Sequence, residues 1–309
     1  MSYITGNKLI YHMDRVMGDQ RPITAELFLT NFCNHRCSYC RFHHGRGYID
    51  IDHFKRYAER LVELGVKGFI LTGGGEPTLN PDFTKITEYL EENHLEYGIN
   101  TNFNKLRLFK PRYLKVSIDA SSPEEYQEFR KVRAEVFHKV RENIKKYREW
   151  QEKEGHDTTL GIQSLVYEHH HVLKFYEAHK DLPVDYMVFR PLESRHYNYG
   201  EEAKKIIDEV VRIAEFDPRV TLNYKWHMLT KTFESCFASW SVITVRWDGM
   251  VQYCCHKPHE IVGHILDPDI LDKKRNFKTD MKTCERPCRL SGNNAFLENL
   301  GSGEHHAFV

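Results

Sequence analysis

Three thiols, Cys33, Cys37 and Cys40, stand within eight residues of one another, and no further cysteine follows until Cys236. The apolar run Ala25–Thr30 immediately before them reads as a buried strand, so the thiols belong to the loop at its end. Three thiolates this close can hold three irons of a cubane 4Fe-4S cluster and leave the fourth iron without a protein ligand. With an imidazole from His35, His43 or His44 they also compose a structural zinc site of three thiolates and one histidine. The eight residues leave both readings open, with the cluster favoured.

A second motif, Thr72-Gly73-Gly74-Gly75-Glu76-Pro77-Thr78, follows another apolar run, Gly68–Leu71. Consecutive glycines after a strand let a ligand come close to the backbone, where peptide N–H and C=O groups can take the amino and carboxyl groups of an amino acid. The two motifs together resemble the signature of the radical S-adenosylmethionine (SAM) superfamily: CxxxCxΦC with an aromatic at Φ, here Tyr39, then GGE, here Gly74, Gly75 and Glu76. The resemblance implies that SAM chelates the open iron, that the GGE backbone binds its amino group and that Tyr39 lies near its adenine.

The chain has 309 residues, room for one large unit and a smaller one. Lys plus Arg and Asp plus Glu both number 44, so no global charge draws it to nucleic acid or to an anionic membrane. No apolar run approaches the roughly 20 residues of a membrane span, and the opening residues MSYITGNKLIYH lack the apolar core of a signal peptide. A cytoplasmic protein is expected. There, eight cysteines are better explained as metal ligands than as disulfides.

Residues 1–22 carry an amphipathic segment (Leu9, Ile10, Met13, Val16, Met17), expected as a helix on the outside of the main domain and too short to be a peptide-binding module. From residue 23, short apolar runs alternate with helical patterns, the mark of a parallel βα architecture. Strands are expected near 25–30, 67–72, 96–101, 113–118, 159–166 and 185–190. Phe54, Tyr57, Leu61 and Leu64 have helical spacing, as do Phe83, Ile86 and Leu90, and Val136, Val140, Ile144 and Tyr147. Ser122-Pro123-Glu124-Glu125 is a helix start, with a cap residue and a proline at the first helical position.

Six such strands fit the partial (β/α)6 TIM-like barrel of the radical SAM superfamily, expected here over residues 23–215. Ligands in such barrels sit at the C-terminal ends of strands, which nominates Asn100, Thr101 and Asn102, Ser117 and Asp119, Gln163 and Ser164, and Arg190. The resemblance points to Ser117 first and Asn102 next for SAM, and to Arg130 for its carboxylate. Phe103 stands where relatives often carry glycine. The run Glu168-His169-His170-His171 reads as solvated or capping, because adjacent imidazoles point apart in regular structure. The basic stretch Lys105, Arg107, Lys110, Arg112, Lys115 lacks a platform of stacking aromatics, so a nucleic-acid role is the weaker reading.

Residues 216–309 are expected as a second, smaller unit. Ser241–Cys254 reads as a hairpin turning at Asp248-Gly249. Cys236, Gly249 and Cys254, with Cys284 and Cys288 closing the set, resemble the twitch form of a SPASM domain, since the fuller cysteine set of a complete SPASM domain is missing. That resemblance implies an auxiliary 4Fe-4S cluster held by Cys236, Cys254, Cys284 and Cys288; spacing alone also allows a structural zinc held by the same four thiolates. Cys255 is the odd thiol: a buried bystander, the true ligand in place of Cys254, or a hydrogen donor to a substrate radical. Residues 292–309, with Phe296, Leu297 and Leu300 at helical spacing, are expected to run back across the barrel mouth. Together these features imply a flavodoxin- or ferredoxin-fed enzyme acting on a small polar metabolite, such as a sugar, nucleotide sugar, cyclitol or nucleoside. A peptide-modifying enzyme is the rival, and a non-catalytic zinc or iron–sulfur scaffold the reading from another class.

Overall fold

A computed structural model describes residues 8–42, 44–194 and 196–301. Seven parallel strands run in sequence order: β1 (Thr24–Phe28), β2 (Gly68–Thr72), β3 (Glu96–Thr101), β4 (Tyr113–Ser117), β5 (Thr159–Val166), β6 (Tyr186–Pro191) and β7 (Val220–Leu222). The first six coincide with the apolar runs to within two residues, and with the helices between them they form an open, partial (β/α)6 barrel. On the other side of β1 lie β8 (Val242–Val245), β9 (Met250–Gln252) and β10 (Ile261–His264), so the sheet order is β10-β9-β8-β1-β2-β3-β4-β5-β6-β7. Strand β8 pairs in parallel with β1, whereas β8, β9 and β10 form an antiparallel meander. The sheet is therefore continuous across residue 216, and the expected hairpin is its edge. Its turn needs a left-handed residue, and Gly249 supplies φ +78°.

The helices form where the sequence provides caps and an apolar stripe. After the short N-terminal helix α1 (Met13–Val16), α2 (Ile51–Glu63) begins at Asp50, whose side chain accepts from His53 N, and buries Phe54, Tyr57, Ala58 and Leu61 at helical spacing. The α3 helix (Phe83–Glu92) follows β2. Ser122 caps α4 (Pro123–Arg130), and α5 (Val136–Glu154) stops at Gly155, φ +65°. The α6 helix (His169–His179) and α7 (Glu202–Ala214) flank β6; α8 (Ile270–Asn276) and α9 (Ser291–Gly301) lie in the C-terminal region. Each imidazole of the His169–His171 run has its own partner: Glu202, Glu168, and Ser164 with Glu125.

Alternation along the strands separates two faces. On β2 and β4, Phe69, Leu71, Leu114 and Val116 are buried beneath the helices, while Ile70, Thr72, Tyr113, Lys115 and Ser117 keep partial exposure. The concave face is thus polar and, on β2 and β4, partly open to solvent, while Glu26 of β1 and Gln163 of β5 are buried on it. Its lower end is closed by aromatic rings over glycines: a Cβ on Gly98 would lie 2.0 Å from the Tyr113 ring, and one on Gly161 2.1 Å from that of Tyr186.

The two described ends of the chain meet beside the C-terminal region. Leu9 and Val16 pack with Trp240, and Met13, Ile23, Phe296 and Leu297 join them, so the N-terminal segment and α9 cover each other beside the C-terminal region. The segment also touches the barrel's outer layer, where the Arg15 guanidinium lies against Gly65 just past α2. The α9 helix is tied there by Asn294, which donates to Ser235 O at 2.9 Å and accepts from Ala238 N at 3.0 Å. Its first turn packs on the segment that follows β7, with Gly292 against the Tyr224 ring; residues 302–309 of the expected tail lie outside the described residues.

Replacing Gly98 with alanine should drive a methyl into the Tyr113 ring and destabilise the fold by about 1–3 kcal/mol, the usual cost of overpacking. Urea unfolding of the two proteins compared at equal metal content measures it.

Candidate functional site

Strand β1 leads into a loop, residues 31–47, that is pinched shut at its base. Asn31 N donates to Gly47 O (3.0 Å), Gly45 N to Asn31 O (2.9 Å) and Gly47 N to Asn31 Oδ1 (2.7 Å). Cys33, Cys37 and Cys40 ride on this loop as free thiols. The GGE turn presses on its entrance: Glu76 N donates to Phe32 O at 2.8 Å, and a Cβ on Gly75 would fall 2.1 Å from that same oxygen. Gly73 and Gly74 have φ of +57° and +66°. Only glycines allow this conformation and this approach without strain.

The Glu76 side chain is 3% exposed. Its Oε1 accepts from Thr78 N (3.1 Å), Thr78 Oγ1 (2.7 Å) and Thr101 Oγ1 (2.5 Å), and its Oε2 from Asn102 N (2.7 Å). Burial raises its pKa above the usual carboxylate range, against the pull of these hydrogen bonds. The carboxylate therefore ties the GGE turn to the end of β3. Among the described residues nothing donates to the carbonyls of Gly74 and Gly75, which suits an ammonium group, a donor without acceptor capacity.

Asp119, at φ +59° beyond β4, does the same on the other side. Its Oδ2 accepts from Tyr39 Oη at 2.6 Å and from Arg130 Nη2 at 2.7 Å, and its Oδ1 from Leu165 N at 2.8 Å. Arg130 also donates to Ser117 O and approaches Cys37 Sγ at 3.4 Å through Nη1. The end of α4 adds two carbonyls, receiving Arg36 N (3.0 Å, Arg130 O) and Ser38 N (2.9 Å, Phe129 O). The expected carboxylate ligand Arg130 is thus engaged as a brace between Asp119 and the thiol loop. Tyr39, nominated for adenine, lies with its ring 5.7 Å from the Arg130 guanidinium. Asn102 donates to Asn34 Oδ1 at 2.8 Å, tying β3 to the loop, and the Ser117 side chain lies on the concave face.

His35 is 1% exposed, with neither ring nitrogen hydrogen-bonded; burial, then the nearby Arg130 charge, lowers its pKa to about 3. His44 stands by Cys40, Nε2 to Sγ 3.7 Å, and His43 lies outside the described residues. Among the described residues no three His, Cys, Asp or Glu side chains converge on a point that one ion could occupy. A tetrahedral zinc needs such convergence, whereas a cubane takes one thiolate per iron and spreads them.

The second cysteine group forms one lining. Cys236, Cys254, Cys284 and Cys288 come from separate turns and border a single cavity with Tyr253 and Lys257. Backbone N–H groups aim at sulfur in both groups: His35 N at Cys33 (3.4 Å), His256 N at Cys254 (3.5 Å) and Leu290 N at Cys288 (3.3 Å). Burial pushes Cys33 up to about 12 and Cys288 up to about 11. These sulfurs need a metal's charge to become thiolates. Cys255 does not line the cavity; it lies against Glu26 of β1 and accepts from Arg289 Nη1 at 3.4 Å.

A link between the two groups was missed in the sequence. Glu193, just past β6, pairs with Arg190 (2.5 Å), Lys225 and His256 (2.8 Å), while its carbonyl accepts from Arg41, next to Cys40. Arg41 also reaches Glu285, next to Cys284, at 3.2 Å. Arg190 donates in addition to Gln163 Oε1 at 2.7 Å. The expected basic stretch is dispersed: Lys110 and Arg112 pair with Glu154 and Glu96, whereas Lys115 faces the concave side. No periodicity announces such partners, because they meet only across the folded sheet.

Arg130→Met should cost about 3–5 kcal/mol in unfolding free energy by leaving Asp119 buried beside no cation. Guanidinium titration of the metal-loaded protein checks this, and Arg130→Lys should recover part of the loss.

A family model described as the radical SAM superfamily matches residues 27–175. The chain is 29% identical over 124 residues to the GTP 3',8-cyclase of Haemophilus ducreyi, covering 35% of this chain and 36% of that protein. It is 26% identical over 270 residues to the molybdenum cofactor biosynthesis protein moc-5 of Caenorhabditis elegans, covering 75% and 44%. The chain thus spans less than half the length of these curated relatives. In fold it resembles Streptococcus suis SuiB bound to the precursor peptide SuiA, with a TM-score of 0.66 at 12% identity over 88% of this chain and 71% of that one. It also resembles anSMEcpe with bound AdoMet, with a TM-score of 0.62 at 19% identity over 83% and 82%. No helix among the described residues is long and apolar enough to cross a membrane. Residues 27–175, which hold the three-thiol loop, the GGE turn and most of the open parallel barrel, are thus a radical SAM domain.

Proposed function

We propose that this enzyme removes a hydrogen atom from a small polar metabolite bound on the concave face of the barrel. The observation that carries the reading is the junction of the thiol loop with the GGE turn, which faces an open, polar side of the sheet. Cys33, Cys37 and Cys40 would hold a 4Fe-4S cluster, and the Gly74 and Gly75 carbonyls the amino group of SAM. When bound, the cluster supplies the electron that splits SAM into methionine and a 5′-deoxyadenosyl radical, the hydrogen-abstracting species. Ser117, Asn102 and Arg190 stand at strand ends around the same opening. Tyr39, Asp119 and Arg130 keep the loop in position, and the partial exposure of the concave face gives a substrate access.

The second cysteine group fits an auxiliary 4Fe-4S cluster, with Cys236, Cys254, Cys284 and Cys288 as its ligands. Its donor set is complete without Cys255, which is oriented towards Glu26. A flavodoxin or ferredoxin in the cytoplasm is the electron source this chemistry calls for. In the rival reading the substrate is a peptide, and Cys255 is the side chain placed to return a hydrogen atom to it.

Anaerobic reconstitution should yield about eight irons per chain, the sum of two cubanes, and reductant-dependent 5′-deoxyadenosine. Alanine at Cys33, Cys37 or Cys40 should abolish that product. Alanine at Cys236 or Cys288 should remove about four irons, the content of one cubane. Two zincs and no 5′-deoxyadenosine would sink the reading. Incubation with deuterated metabolites and deuterated peptides, followed by mass analysis of 5′-deoxyadenosine, decides between the substrate classes.

A further inference from the structure

We propose that the substrate carries a phosphate group and that Lys115 of β4 and Arg190 of β6 receive it on the concave face. The inference rests on the reading of that face as the substrate site.

Four cations, Lys115, Arg190, Lys225 and Arg289, gather on and above this face, against two carboxylates, Glu26 and Glu193; a third carboxylate nearby, Asp119, is already answered by Arg130. Arg289 pairs with Glu26, and Glu193 is shared by Arg190 and Lys225. The formal balance, four minus two, leaves two positive charges unanswered. Lys225 and Arg289 also face thiols, Cys288 and Cys255 respectively, so part of their charge is answered there. The excess falls on Lys115 and Arg190.

Both residues have binding capacity to spare. Among the described residues the Lys115 ammonium has no hydrogen bond and no ion pair, and Arg190 Nε is buried without an acceptor. The strand between them presents Gly161 in register with Lys115, and the Tyr186 ring lies over that glycine, so an aromatic wall flanks the lysine on that side and leaves its ammonium to reach upward along the face. Asn100, in register with Lys115 on its other side, shares the face. Burial, reinforced by Arg190 and Arg289, lowers the lysine's pKa to about 7, as expected of a cation held near other cations until an anion arrives. An unpaired cation in such a place is costly to the fold; Arg190 stands four residues farther along β6 than Tyr186, the residue level with Lys115, so the guanidinium and the ammonium would hold phosphate oxygens from two heights of the same face. Two surplus charges suit a dianion better than a carboxylate.

Titration calorimetry of the reconstituted, SAM-loaded protein with inorganic phosphate and, separately, acetate tests this. Phosphate should bind in the millimolar range and acetate at least tenfold more weakly. Lys115→Met and Arg190→Met should each weaken phosphate at least tenfold, Lys115→Arg should restore most of it, and Lys110→Met, outside the face, should change nothing. Equal binding of acetate, or unchanged phosphate binding in both methionine variants, overturns the proposal. So does loss of SAM binding in Lys115→Met with phosphate binding retained, because the lysine would then serve the cofactor. Failure of the wild-type protein to release 5′-deoxyadenosine under dithionite sinks the function proposed above and is read independently of the phosphate titration.

Discussion

A carboxylate taken out of water must be met by hydrogen bonds or it unfolds what holds it. Glu76 is met by its own turn and by the first residues beyond β3, so the GGE turn keeps its shape only while β2 and β3 pair in their observed register. The turn in turn supports Phe32 and the entrance of the thiol loop. Asp119 repeats the device from the opposite side, with Tyr39, Arg130 and Leu165 as its donors. The loop is held between two buried acids, neither of them itself a metal ligand in this reading. Rigid placement of a metal loop by residues that do not touch the metal is what tunes such sites.

The barrel was largely legible because its signals are local. Buried parallel strands are continuous apolar runs, helices repeat every three to four residues, and Ser122 with Pro123 marks a helix start by its own backbone preference. The cysteine groups were legible for the same reason. What escaped was the placement of short, weakly patterned strands: β7 has three residues and β10 four, too few to declare a period. Polar partners at long sequence separation also escaped. Glu26 meets Arg289 across 263 positions, and Glu193 draws its partners from three segments. Arg130 was nominated from a family pattern, yet its surroundings are set by Asp119, whose left-handed backbone no pattern showed.

The two cysteine groups, far apart in sequence, are neighbours through a few ionic contacts. Arg41 follows the first group directly, touches the residue after Cys284 and meets the Glu193 carbonyl. Glu193 also gathers Arg190 from the barrel and His256 from the turn that carries Cys254. A substrate on the concave face would therefore lie near elements that border both cysteine groups, and charge introduced at one group is felt along this chain of contacts. Such contacts are strong only where they are shielded from water, as Lys225 and Glu193 are.

Strand β1 is flanked by β2 on one edge and by β8 on the other, and β8 begins only at Val242. During synthesis the first strand of the barrel therefore waits, with one edge bare, until most of the polypeptide has left the ribosome. A bare edge invites pairing with other nascent chains, and here it leads straight into three reactive thiols. Truncated or stalled products ending before Val242 would present both at once, so complete translation is itself a safeguard against aggregation and oxidative crosslinking.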